Sequence, residues 1–251
     1  MRAILTYHSI DPSGSVISID EEAFRGHVKF LAGGAVKVVP LNELLTLPKS
    51  VDAVSLTFDD GFESIAKIAA PLLADAGLPA TVFVVSDLVG RTNNWDASAR
   101  TDIPTLSLLD WDQVGLLHDS GFTVGAHSRS HRDLTRLAPD ELASEVSEPV
   151  SRITEALGSA PSIFCYPYGR VNIAVREAVA EHFSIACGTD FRAMRNGSDP
   201  LDLPRLDTYY LRSSKALERW GTPAFARYLD VRAKGRVLRA LASRLLAKGR
   251  S

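Results

Sequence analysis

The chain has 251 residues, 45% hydrophobic and 23% charged, a globular composition with room for one large domain or two small ones. Its 28 Lys and Arg against 30 Asp and Glu leave a formal charge of -2, which excludes the global cationic field that nucleic-acid binding draws on. The cysteines, Cys165 and Cys187, are too few for a disulfide scaffold, and both fall in apolar runs that read as buried strands.

The opening residues, MRAILTYHSI, carry neither the apolar core nor the small-residue cleavage site of a secretory signal, and no apolar stretch is long enough for a bilayer, so a cytoplasmic location is expected. Strands are predicted at 3–8, 36–39, 53–58, 80–85, 122–127, 162–167 and 183–188, mostly apolar without clean alternation, as in strands covered on both faces. Between them, helical spacing and capping residues predict helices over 20–32, 64–76 (ending at Gly77), 110–119, 139–157 (ending at Gly158) and 172–181. This alternation predicts an α/β protein whose parallel strands form a closed or nearly closed barrel. An open doubly wound sheet is the competing layout. The long polar stretch 89–107 follows a strand directly, where barrels place functional loops, and Trp95 and Trp111 flank it as candidate faces for a sugar ring or as packing residues.

Several predicted strands end in reactive side chains. LTYHS ends in His8, LTFDDG in Asp59 and Asp60, VGAHSRSH in His127 and His131, and FCYPYGR in Tyr166 and Tyr168. In a parallel sheet all of these lie on one face. A His-x-x-x-His pair with a carboxylate from another strand makes a two-His, one-Asp metal site with open positions, the pattern of a catalytic metal. The second carboxylate then accepts a proton from the attacking water, and a divalent cation makes two adjacent aspartates tolerable. A solvated Asp-Asp-Gly turn and surface histidines are the alternative.

TFDDG (57–61), HSRSH (127–131), YPYGR (166–170) and YHSID near the start, in this order and spacing, resemble the polysaccharide deacetylases, the NodB-homology fold of family 4 carbohydrate esterases. The resemblance covers residues 1–210, leaving 211–251 as a C-terminal helical extension. It implies a distorted seven-stranded (β/α) barrel. It implies Asp59 as general base, Asp60, His127 and His131 as ligands of Zn2+ or a similar divalent ion, and Tyr168 as backbone donor to the oxyanion in a turn shaped by Pro167. The implied substrate is an acetylated saccharide, in the making of a surface or exopolysaccharide.

The sequence departs from the family pattern twice. No Leu-x-His segment supplies a general acid, since the matching region reads LPRLDTYYL; His8 is the expected acid or substrate-binding residue, because His27 and His118 in predicted helices and His182 at the end of one read as solvent-facing. Cys165 stands where many members carry an arginine that pairs with the catalytic aspartate, and Arg205 is the expected replacement. A glycan-binding relative without activity, or a hydrolase of a non-sugar acyl amide or cyclic ureide, are the rival readings. From Arg232 to Ser251 the chain has seven basic residues and no acid, with Val237, Leu238, Leu241, Leu245 and Leu246 at helical spacing. That pattern fits peripheral contact with an anionic membrane, or a closing helix with a solvated charged face.

Overall fold

The computed structural model describes residues 1–48, 50–95 and 102–248, without the side chains of Ser214, Val237 and 239–248; part of the predicted loop at 89–107 therefore lies outside the described residues. In chain order, β1 (Arg2–Tyr7) is followed by a small parallel pair, β2 (Ser9–Ile10) and β3 (Ser18–Ile19), then α1 (Glu21–Ala32), β4 (Lys37–Val38), α2 (Leu41–Thr46) and β5 (Ala53–Phe58). The middle of the chain gives α3 (Ala70–Asp75), β6 (Thr81–Val84), α4 (Trp111–Asp119), β7 (Thr123–Ala126), α5 (Pro139–Leu157), β8 (Ile163–Cys165), α6 (Ile173–Ala180) and β9 (Ile185–Cys187). The chain ends with β10 (Leu206–Asp207), α7 (Ser214–Leu217) and α8 (Pro223–Lys248).

All ladders of the main sheet are parallel, in the order β10-β1-β5-β6-β7-β8-β9, so a distorted (β/α) barrel forms rather than an open doubly wound sheet. β4 and β6 share the second edge of β5, β4 at Ala53–Val54 and β6 at Thr57–Phe58. The seam is closed by one short run. Leu203 bridges Cys187 of β9, and three residues later Leu206 pairs with Leu5 of β1. Arg205 therefore sits in the closing segment itself.

The strands form where apolar residues cover both faces: every residue of β5, and β1 apart from Arg2, is buried. Tyr7 stacks on Phe58 at 5.1 Å and meets Phe24 of α1 edge-on at 5.4 Å, and burying each such ring stabilises the fold by about 2 to 3 kcal/mol. α1 begins where Asp20 accepts from the Ala23 amide at 2.8 Å and buries Phe24, His27, Val28 and Leu31, one stripe at helical spacing. His27 is thus a correction to the solvent-facing expectation. Its Nε2 lies 2.9 Å from the Leu211 carbonyl, which only accepts, so Nε2 carries the proton and Nδ1 accepts from the Tyr7 hydroxyl at 3.0 Å. Of the other histidines grouped with it, His118 is half-buried, and His182 is exposed and lies just past the end of α6.

The helix expected over 64–76 also differs. Its first part, Ile65–Ala69, is a wider π turn in which the Ala70 amide reaches the Ile65 carbonyl, because Pro71 has no amide hydrogen for the carbonyl of Lys67. The ladders are shorter than the apolar runs at 162–167 and 122–127: pairing stops at Cys165 and Ala126, and the next residues turn into the site.

After residue 210 the chain stays packed on the barrel, with Leu211, Leu217, Phe225 and Leu229 buried. Arg236 of α8 lies over the rings of Phe191 and Tyr210 at 5.4 and 5.3 Å and pairs with Asp207 at 3.4 Å. Leu238 is 66% exposed, while the side chains of Val237, Leu241, Leu245 and Leu246 lie outside the described residues. Among the described residues no helix is long and apolar enough to cross a membrane.

Candidate active site

The carboxyl ends of β1, β5, β7 and β8 open into one cleft of about 1110 Å³, lined by His8, Asp59, Asp60, His127, His131 and Tyr168 among others. Among the described residues, only Asp60, Ser128, His131 and Tyr168 are non-glycines with positive φ (69°, 61°, 62° and 59°), and all belong to the strand exits at this cleft. Such backbone costs about 1 to 3 kcal/mol per residue and persists where surrounding contacts hold it. For Asp60 the turn continues through Gly61 at φ 72°, where a Cβ would lie 3.3 Å from Val84 Cγ1, so the Asp-Asp-Gly sequence makes a left-handed step that a larger residue at 61 would strain.

Asp59 is held from behind. Arg205 donates through Nη1 to Oδ1 and through Nη2 to Oδ2, both at 2.7 Å, while its Nε donates to the Gly188 carbonyl at 2.9 Å. Burial opposes the charged form of Asp59, and Arg205 outweighs it, keeping the carboxyl below its ordinary range. Cys165 explains how an arginine from the closing segment gets there. Its small side chain leaves room beside the strand, its Sγ accepts from Arg205 Nη2 at 3.1 Å, and its thiol, pushed up by burial, approaches Asp59 Oδ2 at 3.6 Å. His8 Nε2 stands 3.8 Å from the same Oδ2, partly open to the cleft.

Asp60, His127 and His131 converge on one point: both Nε2 atoms lie 3.3 Å from Asp60 Oδ1, and all three side chains are buried. His127 Nδ1 donates to the Cys165 carbonyl at 2.7 Å, so in the neutral ring the bare Nε2 lone pair faces a carboxylate oxygen. Lone pairs aimed at a buried anion repel unless a cation lies between them. This donor set fits a divalent transition metal, with His127 fixed by an outer hydrogen bond as metal-binding imidazoles are. When no cation is bound and the two rings carry a proton at Nε2, their hydrogen bonds to Asp60 outweigh the burial that opposes its charge, holding its carboxyl far below its ordinary range.

Tyr168 is 44% exposed, its ring 4.7 Å from that of His131, in the turn that Gly169 closes by donating its amide hydrogen to the Tyr166 carbonyl at 2.9 Å. Trp95 also packs on His131, with ring centroids 4.2 Å apart, and lines the cleft. Trp111 begins α4 and packs against the core.

Two residues that sequence reading passed over hold the histidine loop. Ser128 accepts the His131 amide at 2.9 Å. Glu145, completely buried on α5, accepts the Ser130 amide at 2.9 Å and also the Ser130 hydroxyl. The signal for Glu145 was present, since it occupies the apolar stripe with Leu142, Val146, Pro149 and Ile153.

A parallel barrel carrying an Asp-His-His set at its strand exits defines a class of proteins, and comparison with known proteins narrows it. The polysaccharide deacetylase family model matches residues 47–183, and the chain belongs to that family. Curated relatives include YxkH of Bacillus subtilis (27% identical over 67% of this chain and 57% of that one) and a chitin deacetylase of Pestalotiopsis (27% over 53% and 40%). Another is the poly-beta-1,6-N-acetyl-D-glucosamine N-deacetylase of Staphylococcus aureus, 24% identical over 62% of this chain and 55% of that one. The chain spans about half the length of these relatives. Among solved structures, IcaB of Ammonifex degensii matches with a TM-score of 0.70 at 25% identity, over 83% of this chain and 93% of that one. The Streptococcus pyogenes deacetylase PplD shares the fold, with a TM-score of 0.75 at 19% identity over 88% and 98%.

Proposed function

We propose that the protein is a metal-dependent hydrolase removing acetyl groups, N-linked in particular, from a saccharide or polysaccharide precursor. One observation carries the reading: an Asp-His-His set shaped for a cation lies beside a second aspartate, forked by arginine, in a cleft walled by an aromatic ring. Relatives named for chitin and for poly-beta-1,6-N-acetyl-D-glucosamine support the N-acetyl choice and a role in exopolysaccharide formation.

Asp60, His127 and His131 hold the ion, most suitably Zn2+, which when bound supplies Lewis-acid polarisation of the acyl carbonyl and acidification of water. Asp59 takes the proton from the attacking water. Arg205 keeps that carboxylate ionised and fixed in plane, so no reorganisation is needed as the proton arrives. The Tyr168 amide, set by its left-handed backbone, donates to the developing oxyanion. His8, beside Asp59, delivers a proton to the departing amine. Trp95 presents a face for the sugar ring.

The test is acetate release from a panel of N- and O-acetylated oligosaccharides, run on native, chelated and metal-restored protein with Asp59→Asn as control. Release that needs both the metal and Asp59 is expected. Release indifferent to both refutes the mechanism, and no release from any sugar returns the question to acyl amides or to glycan binding.

A further inference from the structure

We infer that the saccharide carries a negative charge about one sugar ring from the acetyl group, and that Arg136 and Arg170 receive it; this deepens the deacetylase reading and rests on it. The cleft is lined by the apolar residues Val16, Ile17, Ile103 and Pro104 and by three arginines; Arg132 pairs with Glu141 at 2.8 Å, which leaves Arg136 and Arg170 as one charged wall.

Both arginines converge on a single carboxylate. Arg170 Nη1 donates to Asp133 Oδ2, and Arg136 Nε lies 3.1 Å from the same oxygen. Asp133 is itself fixed, accepting the Thr135 amide at 3.2 Å and the Thr135 hydroxyl at 2.6 Å. One anion neutralises one guanidinium, so this wall keeps an excess positive charge. The other acids lining the cleft do not offset it, because Asp59 is taken up by Arg205 and Asp60 by the histidine pair. Arg136 is 78% exposed, and among the described residues its terminal amines meet no acceptor. Arg170 lies over the Tyr168 ring at 5.5 Å, and that ring touches His131, so the cation sits two ring contacts from the metal-binding residues. A planar fork at this spacing suits a carboxylate or phosphate on the neighbouring sugar.

The experiment compares kcat/KM for three acetylated oligosaccharides of equal length: a neutral N-acetylglucosamine tetramer, a tetrasaccharide alternating glucuronate with N-acetylglucosamine, and the neutral tetramer bearing a terminal phosphate. We expect one or both anionic substrates to exceed the neutral one by about tenfold, a preference that falls towards unity in Arg136→Gln and in 0.5 M salt and is partly restored in Arg136→Lys. The uronate and phosphate arms identify which anion is read. A neutral-to-anionic ratio of one or more in the wild type, or a preference unchanged in both Arg136→Gln and Arg170→Gln, overturns the inference. Calorimetric binding of the corresponding deacetylated oligosaccharides makes the same comparison without turnover. Failure of hydrolysis therefore counts against the deacetylase reading, while equal binding of charged and neutral products counts against this one.

Discussion

Arg205 grips both oxygens of Asp59 at 2.7 Å although 146 residues separate them, and both side chains are buried. Removing one partner of a buried pair strands the other without solvation, which costs about 3 to 5 kcal/mol. Arg205→Met is therefore expected to lower the urea midpoint more than the double variant Asp59→Asn/Arg205→Met. A double-mutant cycle measures the coupling, expected at about 2 to 3 kcal/mol. Strict additivity would show that the fork contributes nothing beyond its separate parts.

The bare Nε2 of His127 and the Nε2 of His131, both 3.3 Å from Asp60 Oδ1, predict that metal binding stabilises the folded state. At free metal roughly 100-fold above its dissociation constant, stability should rise by about 3 kcal/mol. Elemental analysis should find an ion bound by the wild type and lost from Asp60→Ala and His131→Ala. A thermal midpoint that ignores chelator and metal alike would contradict this.

Glu145 is not among the residues lining the cleft and acts by fixing the loop that carries both histidines. Glu145→Leu should weaken metal affinity by about 10- to 100-fold, whereas Glu145→Gln, which still accepts from Ser130, should lose much less. Metal titration by competition with a chromogenic chelator checks the order of the two variants. Equal losses would assign the effect to charge instead of hydrogen bonding.

His27 gives the fold an acid-side weakness. Burial lowers its pKa from 6.5 to about 4, so the unfolded chain takes up a proton between these values and the folded chain does not. Stability is accordingly unpenalised above pH 6.5 and declines as pH falls towards 4, with about 2 kcal/mol lost between pH 7 and 5 through this residue. Denaturant midpoints of wild type and His27→Gln, followed over that range, should show the variant less stable at pH 7 but with a shallower decline. Parallel declines would remove His27 as the cause.

Much of the barrel is written locally, because strands covered on both faces show as unbroken apolar runs and a helix such as α1 starts at a visible cap, Asp20. The strand exits carrying His8, Asp59, Asp60, His127 and His131 can be found the same way, and their convergence follows from parallel pairing alone. Arg205 was reachable only through a gap, the Cys165 position where a cation was missing. Ladder ends, the π turn before Pro71, the burial of His27 and the shared use of Asp133 by two arginines are not local. Each depends on which residue from a distant segment arrives, and spacing along the chain carries no record of that.

The run from Leu203 to Asp207 joins β1 to β9 and brings Arg205 with it. Without this run, Asp59 would stand buried beside Cys165 with no arginine to face its charge. The last stave of the cylinder is therefore also the clamp on its buried anion, and neither can be loosened without the other.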